Sequence, residues 1–172
     1  MEIRVLPEFT VIADTNFTLS VYSGFGYRYL SWNGNNRITS TGLYTCMRES
    51  NYYYSPIGTD FVVFLNEKFS LWSYFEFDYF WRGKQVSRAS QLPGAYSTDL
   101  INKQRKGYGL RISLEYHKKA VRRDYLFGIF IRCWNIDRSD YGQFYRMGIF
   151  REYGVEPANR TLEYGSKFGL IF

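Results

Sequence analysis

Residues 68–82 read KFSLWSYFEFDYFWR. Phe69, Leu71, Phe75, Phe77, Tyr79 and Trp81 share one parity, and Ser70, Glu76, Asp78 and Arg82 share the other. Successive strand side chains point to opposite faces, so this spacing predicts a β-strand with one apolar face and one polar face. Trp72, Tyr74 and Phe80 dilute the polar face without breaking the alternation.

The same period runs through most of the chain. Tyr108, Leu110, Ile112, Leu114 and Tyr116 alternate with Gly109, Arg111, Ser113, Glu115 and His117. Tyr125, Phe127, Ile129, Ile131 and Cys133 alternate with Gly128, Phe130, Arg132 and Trp134. Near the start, Ile3, Val5, Phe9 and Val11 oppose Glu2, Arg4, Glu8 and Thr10, and Phe17, Leu19, Val21, Phe25, Tyr27 and Tyr29 oppose Thr18, Ser20, Gly24, Gly26 and Arg28. The pattern predicts about eight strands, at 3–13, 16–31, 42–58, 68–82, 106–117, 124–136, 143–154 and 161–172, joined as consecutive antiparallel neighbours. With no shift in composition to mark a boundary, residues 1–172 are expected to form a single all-β domain, an up-and-down barrel.

Composition narrows the class. The chain has 172 residues, 21% of them aromatic, and a net charge of +6. Two Cys exclude a disulfide scaffold, Cys46 and Cys133 are not expected to pair, and no Cys/His cluster has zinc spacing, so neither metal nor cofactor is expected. No stretch approaches the ~18 apolar residues of a membrane helix. The basic residues collect at turns, in Lys118, Lys119, Arg122 and Arg123 and in Lys103, Arg105 and Lys106. Such placement reads as solvated connections rather than a nucleic-acid surface. The opening MEIRVLPEFTV does not read as a secretory signal, so any such segment is taken to have been removed.

Period two does not say which face lies inside. A soluble lipocalin-like barrel would hide the apolar face around a ligand, whereas a transmembrane barrel turns it toward lipid and keeps a polar lumen. Three features favour the transmembrane form. The apolar face carries more bulk than an eight-stranded interior holds, glycines share the polar face with the charges, and the clear strands reach the length that a tilted span requires. The expected lumen charge network comprises Arg28, Glu76, Asp78, Arg82, Arg111, Glu115, Arg132, Glu163 and Lys167, with Arg4 and Glu8 on the same face. Paired across a narrow barrel, these charges read as a structural filling in preference to a conducting pore.

The ending LEYGSKFGLIF, residues 162–172, resembles the closing strand of Gram-negative outer-membrane β-barrels of the small, about eight-stranded type. Residues 24–34, GFGYRYLSWNG, resemble the outward-running strands of such barrels. The resemblance implies that Tyr164, Phe168, Leu170 and Phe172 form the signal read by the barrel-assembly machinery. It also implies a monomer in the bacterial outer membrane, surrounded by lipid and lipopolysaccharide. In that family the last strand runs from outside to periplasm, which with eight strands puts 155–160 outside and the long 83–105 segment in the periplasm. Family barrels keep their long loops outside, so this segment departs from the pattern.

Ser113, Glu115 and His117 form a row on one strand face and carry the groups of an acyl-transfer triad, as lipid-modifying enzymes of the outer membrane do. Alternate strand residues stand about 6.6–6.8 Å apart, too far for a direct nucleophile–base hydrogen bond, so lumen polarity is the preferred reading. Tyr52, Tyr53 and Tyr54 suit an interfacial girdle. Lys118, Lys119, Arg122 and Arg123 would meet lipopolysaccharide phosphates if their turn lies outside. The expected role is structural or surface-interacting, with a small pore, a lipid-modifying enzyme and a soluble barrel as alternatives.

Overall fold

The computed structural model describes residues 1–34, 37, 38, 40, 44–92, 97–120 and 123–171. Among them are twelve strands: β1 (Glu2–Val5), β2 (Glu8–Ala13), β3 (Phe17–Ser23), β4 (Phe25–Trp32), β5 (Arg48–Asn66), β6 (Phe69–Ser87), β7 (Leu100–Gln104), β8 (Gly107–Lys118), β9 (Asp124–Ile136), β10 (Gly142–Arg146), β11 (Ile149–Gly154) and β12 (Asn159–Ile171). Every pairing is antiparallel. None of the described helical segments is long and apolar enough to cross a membrane.

The twelve strands reduce to fewer continuous runs. β1 with β2, β3 with β4 and β7 with β8 are interrupted halves of three runs, and β5, β6, β9 and β12 complete the main sheet in the order β1-β4-β5-β6-β8-β9-β12. The interruptions have local causes. Pro7 follows Leu6 between β1 and β2, and a Cβ at Gly24 would collide with the Val5 carbonyl, so only glycine lets the chain step between β3 and β4 there. Pro56 sits inside β5 opposite this step. The carbonyl of Pro56 accepts from Gly24 N–H at 3.1 Å, so the missing Pro N–H would also have faced the gap and takes no bond from a ladder.

The expected eight-strand count and closed wall are thus corrected: the sheet is compatible with a β-barrel but is not closed. Among the described residues β1 pairs only with β4, and β12 only with β9. The expected strand over 143–154 is a hairpin, β10 to β11, folded at Met147 (φ 52°) and Gly148 (φ 73°), the left-handed pair of a two-residue turn. Alternation continues across those two residues, so period two alone hides the fold-back. The expected strand over 42–58 is displaced to Arg48–Asn66, because Pro56 and Gly58 read as an ending but lie mid-strand. Segment 83–105 contains the end of β6 and all of β7.

Replacing one strand by a hairpin reverses the expected polarity of the connections. The short connections at 14–16, 67–68 and 119–123 all lie at one end, together with the C-terminal end of β12. The long connections at 33–47, 88–99 and 137–158 all lie at the other.

The sheet curls so that its polar parity lies on the concave side. Glu2 of β1 reaches Arg132 of β9, and Arg28 of β4 reaches Glu163 of β12 at 2.7 Å. The buried apolar cluster, Tyr52, Tyr54, Phe80, Trp134 and Ile136, also lies on this side, toward the long-connection end. Bulk is accommodated by cross-strand pairing with glycine: Tyr54 faces Gly26, Tyr22 faces Gly58, Tyr52 faces Gly83, Glu115 faces Gly128 and Phe130 faces Gly165. A Cβ at Gly128 would come within 2.7 Å of the Glu115 side chain. On the convex side the apolar parity stays exposed, as at Ile57 (54%), Phe75 (50%), Ile129 (54%) and Phe168 (78%).

Candidate functional site

The concave face gathers most of the expected charge network. Glu76 is 1% exposed and accepts from Tyr22 Oη at 2.9 Å and from the Arg4 guanidinium, and its other oxygen lies 3.5 Å from Arg111 Nε, an ion pair without a hydrogen bond. Arg132 grips Glu2 with two hydrogen bonds of 2.6 and 2.9 Å, and Tyr54 Oη donates to the same carboxylate. Arg111 lies 3.6 Å from Glu2 as well, so one arginine bridges two carboxylates. Arg28 and Arg132 both lie over the Trp134 ring, at 5.7 and 5.4 Å from its centroid. Lys167 donates to Glu115 at 2.6 Å and stands over the rings of Tyr74 and Phe130. Charge-assisted bonds of this kind offset the cost of taking each group out of water.

Asp78 and Arg82 differ from the rest of the expected network. Asp78 is fully buried, and neither of its carboxylate oxygens has a hydrogen-bond partner. Arg82 is not on the concave face at all. A bulge pairs Tyr53 with Arg82 and Tyr54 with Phe80, leaving Trp81 as an extra residue. One inserted residue reverses the parity beyond it, so Trp81 and Arg82 are both exposed, and the Arg82 guanidinium stands over the outward Tyr53 ring at 5.1 Å. Glu2 joins the network beside Arg4, which was expected on that face, and the alternation of Glu2 with Ile3 was the available signal.

Ser113, Glu115 and His117 lie on the concave face of β8 but do not assemble a triad. His117 Nε2 lies 3.4 Å from Glu115 Oε2, and its ring stacks on Trp72 at 4.5 Å. Trp72 in turn donates to Ser70 Oγ at 2.9 Å. Glu115 is held by Lys167, and the Ser113 hydroxyl takes no part in this chain, two alternations from His117 and about 13 Å by strand rise. Among the described residues no cluster of His, Cys, Asp or Glu is arranged to hold a metal.

Tyr52 and Tyr54 are buried inside at 4% and 0% exposure, and only Tyr53 faces outward, which corrects the expected girdle of three. Tyr-Tyr-Tyr has no polar member to reveal its parity. Tyr164, Phe168 and Leu170 all project from the convex face of β12 at 79%, 78% and 51% exposure, and Phe168 meets Phe127 at 5.1 Å. Phe172 and Arg122 lie outside the described residues. Lys118, Lys119 and Arg123 stand at the short-connection end, away from the long loops.

At the long-connection end a cavity of about 650 Å³ opens between Trp32, Cys46, Arg48, Tyr52, Gln85 and Glu156. The β10–β11 hairpin beside it is tied to β7 and its approach by Asn102 Nδ2 donating to the Gly154 carbonyl at 3.0 Å and Thr98 N–H donating to that of Tyr145 at 3.0 Å. Its surface exposes Ile149 and Tyr153 at 59% and 60%. Arg88 clasps the 88–99 connection, pairing with Glu49 and with Asp99 at 2.9 Å. Burial works against ionisation of Asp99, but hydrogen bonds from Ser90 and Arg88 outweigh it and hold the carboxyl below its usual range.

Comparison with known proteins assigns no family: no family model matches the chain, and no curated sequence matches it.

Proposed function

We propose that this chain is the wall of a small Gram-negative outer-membrane β-barrel, with its long connections outside the cell, acting through its surface and without catalysis. One observation carries the reading. The convex face exposes large apolar and aromatic side chains on every long strand, while Glu2, Arg4, Arg28, Glu76, Glu115, Arg132, Glu163 and Lys167 are turned to the concave side and paired there. Water penalises so continuous an apolar surface, and a bilayer requires it. The polarity of the connections supports the same reading, since long loops at one end and short turns with the last strand's end at the other are the habit of such barrels. The free edges of β1–β2 and β12 run in the same direction, so a single strand antiparallel to both would complete an eight-stranded wall.

A filled interior is favoured over a pore by the aromatic layer of Tyr52, Tyr54, Phe80 and Trp134 and by the ion pairs beneath it. The surface role falls to the exposed aromatic hairpin and the adjoining cavity. In this reading lipid and lipopolysaccharide surround the wall, and the barrel-assembly machinery reads Tyr164, Phe168, Leu170 and Phe172 during biogenesis. The test is insertion: refolded into bilayers containing brominated lipid, the protein should show quenching of outward Trp81. A folded, soluble monomer obtained without detergent would overturn the membrane reading, and steady large single-channel currents would replace the filled interior with a pore.

A further inference from the structure

Above the aromatic band on β5, β6 and β7 lies a groove of about 570 Å³ on the outer wall, apart from the concave charge network. Arg82, Lys84, Lys103 and Arg105 line it, with Asn51 and Tyr53. The register sets Lys84 directly opposite Lys103, and both are exposed. Like charges directly opposite on neighbouring strands repel, so the pair costs stability unless an anion lies between. Among the described residues no carboxylate comes within ion-pair distance of Arg82, Lys84 or Lys103. Arg105 spends its Nε on the half-exposed Asp140 at 2.7 Å, which leaves the far edge of its guanidinium to other partners. Arg82 is steadied over the Tyr53 ring, with its nitrogens still free to donate.

The height of the groove selects the anion. Tyr79 and Trp81 are exposed directly below it on β6, and the chain between β6 and β7 forms part of the long-connection end. In the membrane reading, on which this inference rests, such rings mark the interface, so the groove opens sideways at headgroup depth. We propose that it is a binding site for the phosphates of an outer-leaflet glycolipid. Arg82 and Arg105 supply planar forks for phosphate oxygens, Lys84 and Lys103 supply point charges, and Tyr53 offers a ring to a sugar face. The bound phosphate removes the Lys84–Lys103 repulsion, so binding and local stability rise together.

The experiment uses the full chain folded in detergent micelles, with purified lipopolysaccharide, the same material dephosphorylated, and inorganic phosphate as probes. Brominated-detergent quenching of Trp81 is read in the same samples. Wild type should bind lipopolysaccharide, the double variant Lys84→Gln with Lys103→Gln should bind at least about tenfold more weakly, as expected for lost charge-assisted bonds, and inorganic phosphate should not compete at equal concentration. Lys84→Glu serves as the second variant. It places an opposite charge facing Lys103, so it should fold at least as stably as wild type and still lose lipid binding. Binding that survives Lys84→Glu, or equal binding of dephosphorylated lipid, overturns the proposal, and effective competition by inorganic phosphate overturns the lipid as its source. Trp81 quenched with no lipid binding sinks this site alone, whereas a protein soluble without detergent sinks it together with the membrane reading.

Discussion

Glu76 and Asp78 stand two residues apart on the same face of β6, both essentially buried, and the structure expects opposite responses to neutralising them. Glu76 accepts from Tyr22 at 2.9 Å and sits between Arg4 and Arg111. Glu76→Gln keeps the volume and the contact with Tyr22 but leaves two arginines short of a counter-charge. Removing one partner of a buried pair costs about 3–5 kcal/mol, and here the lower end applies, because Arg4 and Arg111 retain 19% and 24% exposure and Arg111 keeps Glu2 at 3.6 Å. Asp78 receives no hydrogen bond, so Asp78→Asn exchanges a buried, unpartnered carboxyl for an amide of the same shape and should be neutral or stabilising. Urea titration of the folded protein in micelles, followed by the emission of its four Trp, measures both. With a slope of about 2 kcal/mol per molar urea, the Glu76 variant should lose roughly 1.5 M in midpoint while the Asp78 variant stays within about 0.5 M of wild type. Equal losses, or a larger loss at Asp78, would refute the reading of Glu76 as a paired carboxylate and Asp78 as an unpartnered one.

Three further outcomes are expected. Gly26→Val drives a side chain into the fully buried Tyr54 ring and should cost about 1–3 kcal/mol in the same titration, whereas Gly148→Asn, in an open turn that already takes positive φ, should cost far less. Cys46 and Cys133 are both free; if the proposed membrane reading holds, a membrane-impermeant maleimide applied to intact cells should label Cys46 at the long-connection end and spare Cys133, which faces outward between the apolar residues of β8 and β12, until the protein is denatured. Because the Asp99 carboxyl is held below its usual range, its contribution is full above the unfolded value near pH 4 and lost as the pH falls through the folded value, so acid should expose Arg88 to protease and Asp99→Asn should do so already at neutral pH.

The strands whose two parities differ in chemistry were legible in the sequence. β8, β9 and β12 alternate apolar with polar or glycine residues, and their expected bounds agree with the structure to within about two residues. Legibility failed where both parities carry similar side chains. Tyr52 to Tyr54 carry no parity, and the run from Phe61 to Leu65 is apolar at every position, so the sequence marks the centre of β5 as its end. In the 143–154 segment the decisive residue was Gly148, since alternation passes unbroken through a two-residue turn. The charge network was legible as a set but not as a pattern of partners. Which arginine meets which carboxylate depends on the curl of the sheet, which brings β1 against β9 across the interior, and no local spacing encodes that.

The bulge at Trp81 links the interior to the wall. With strict alternation from Asp78, residues 80, 82 and 84 would all point inward, placing Arg82 and Lys84 beside Tyr52 and Gln104, which are buried at 4% and 0%. Two unpartnered cations there would carry the full cost of desolvation. The extra residue instead turns Gly83 and Gln85 inward. Gly83 then makes room for the Tyr52 ring, which a Cβ would approach to 2.8 Å, and Gln85 is buried at 4%. The same step sends Arg82 and Lys84 outward to meet Lys103 on β7 and Arg105 just past its end. A tightly filled interior above the bulge and a basic groove on the outer wall are therefore one structural event. A sequence without the insertion could keep the strand but would lose both.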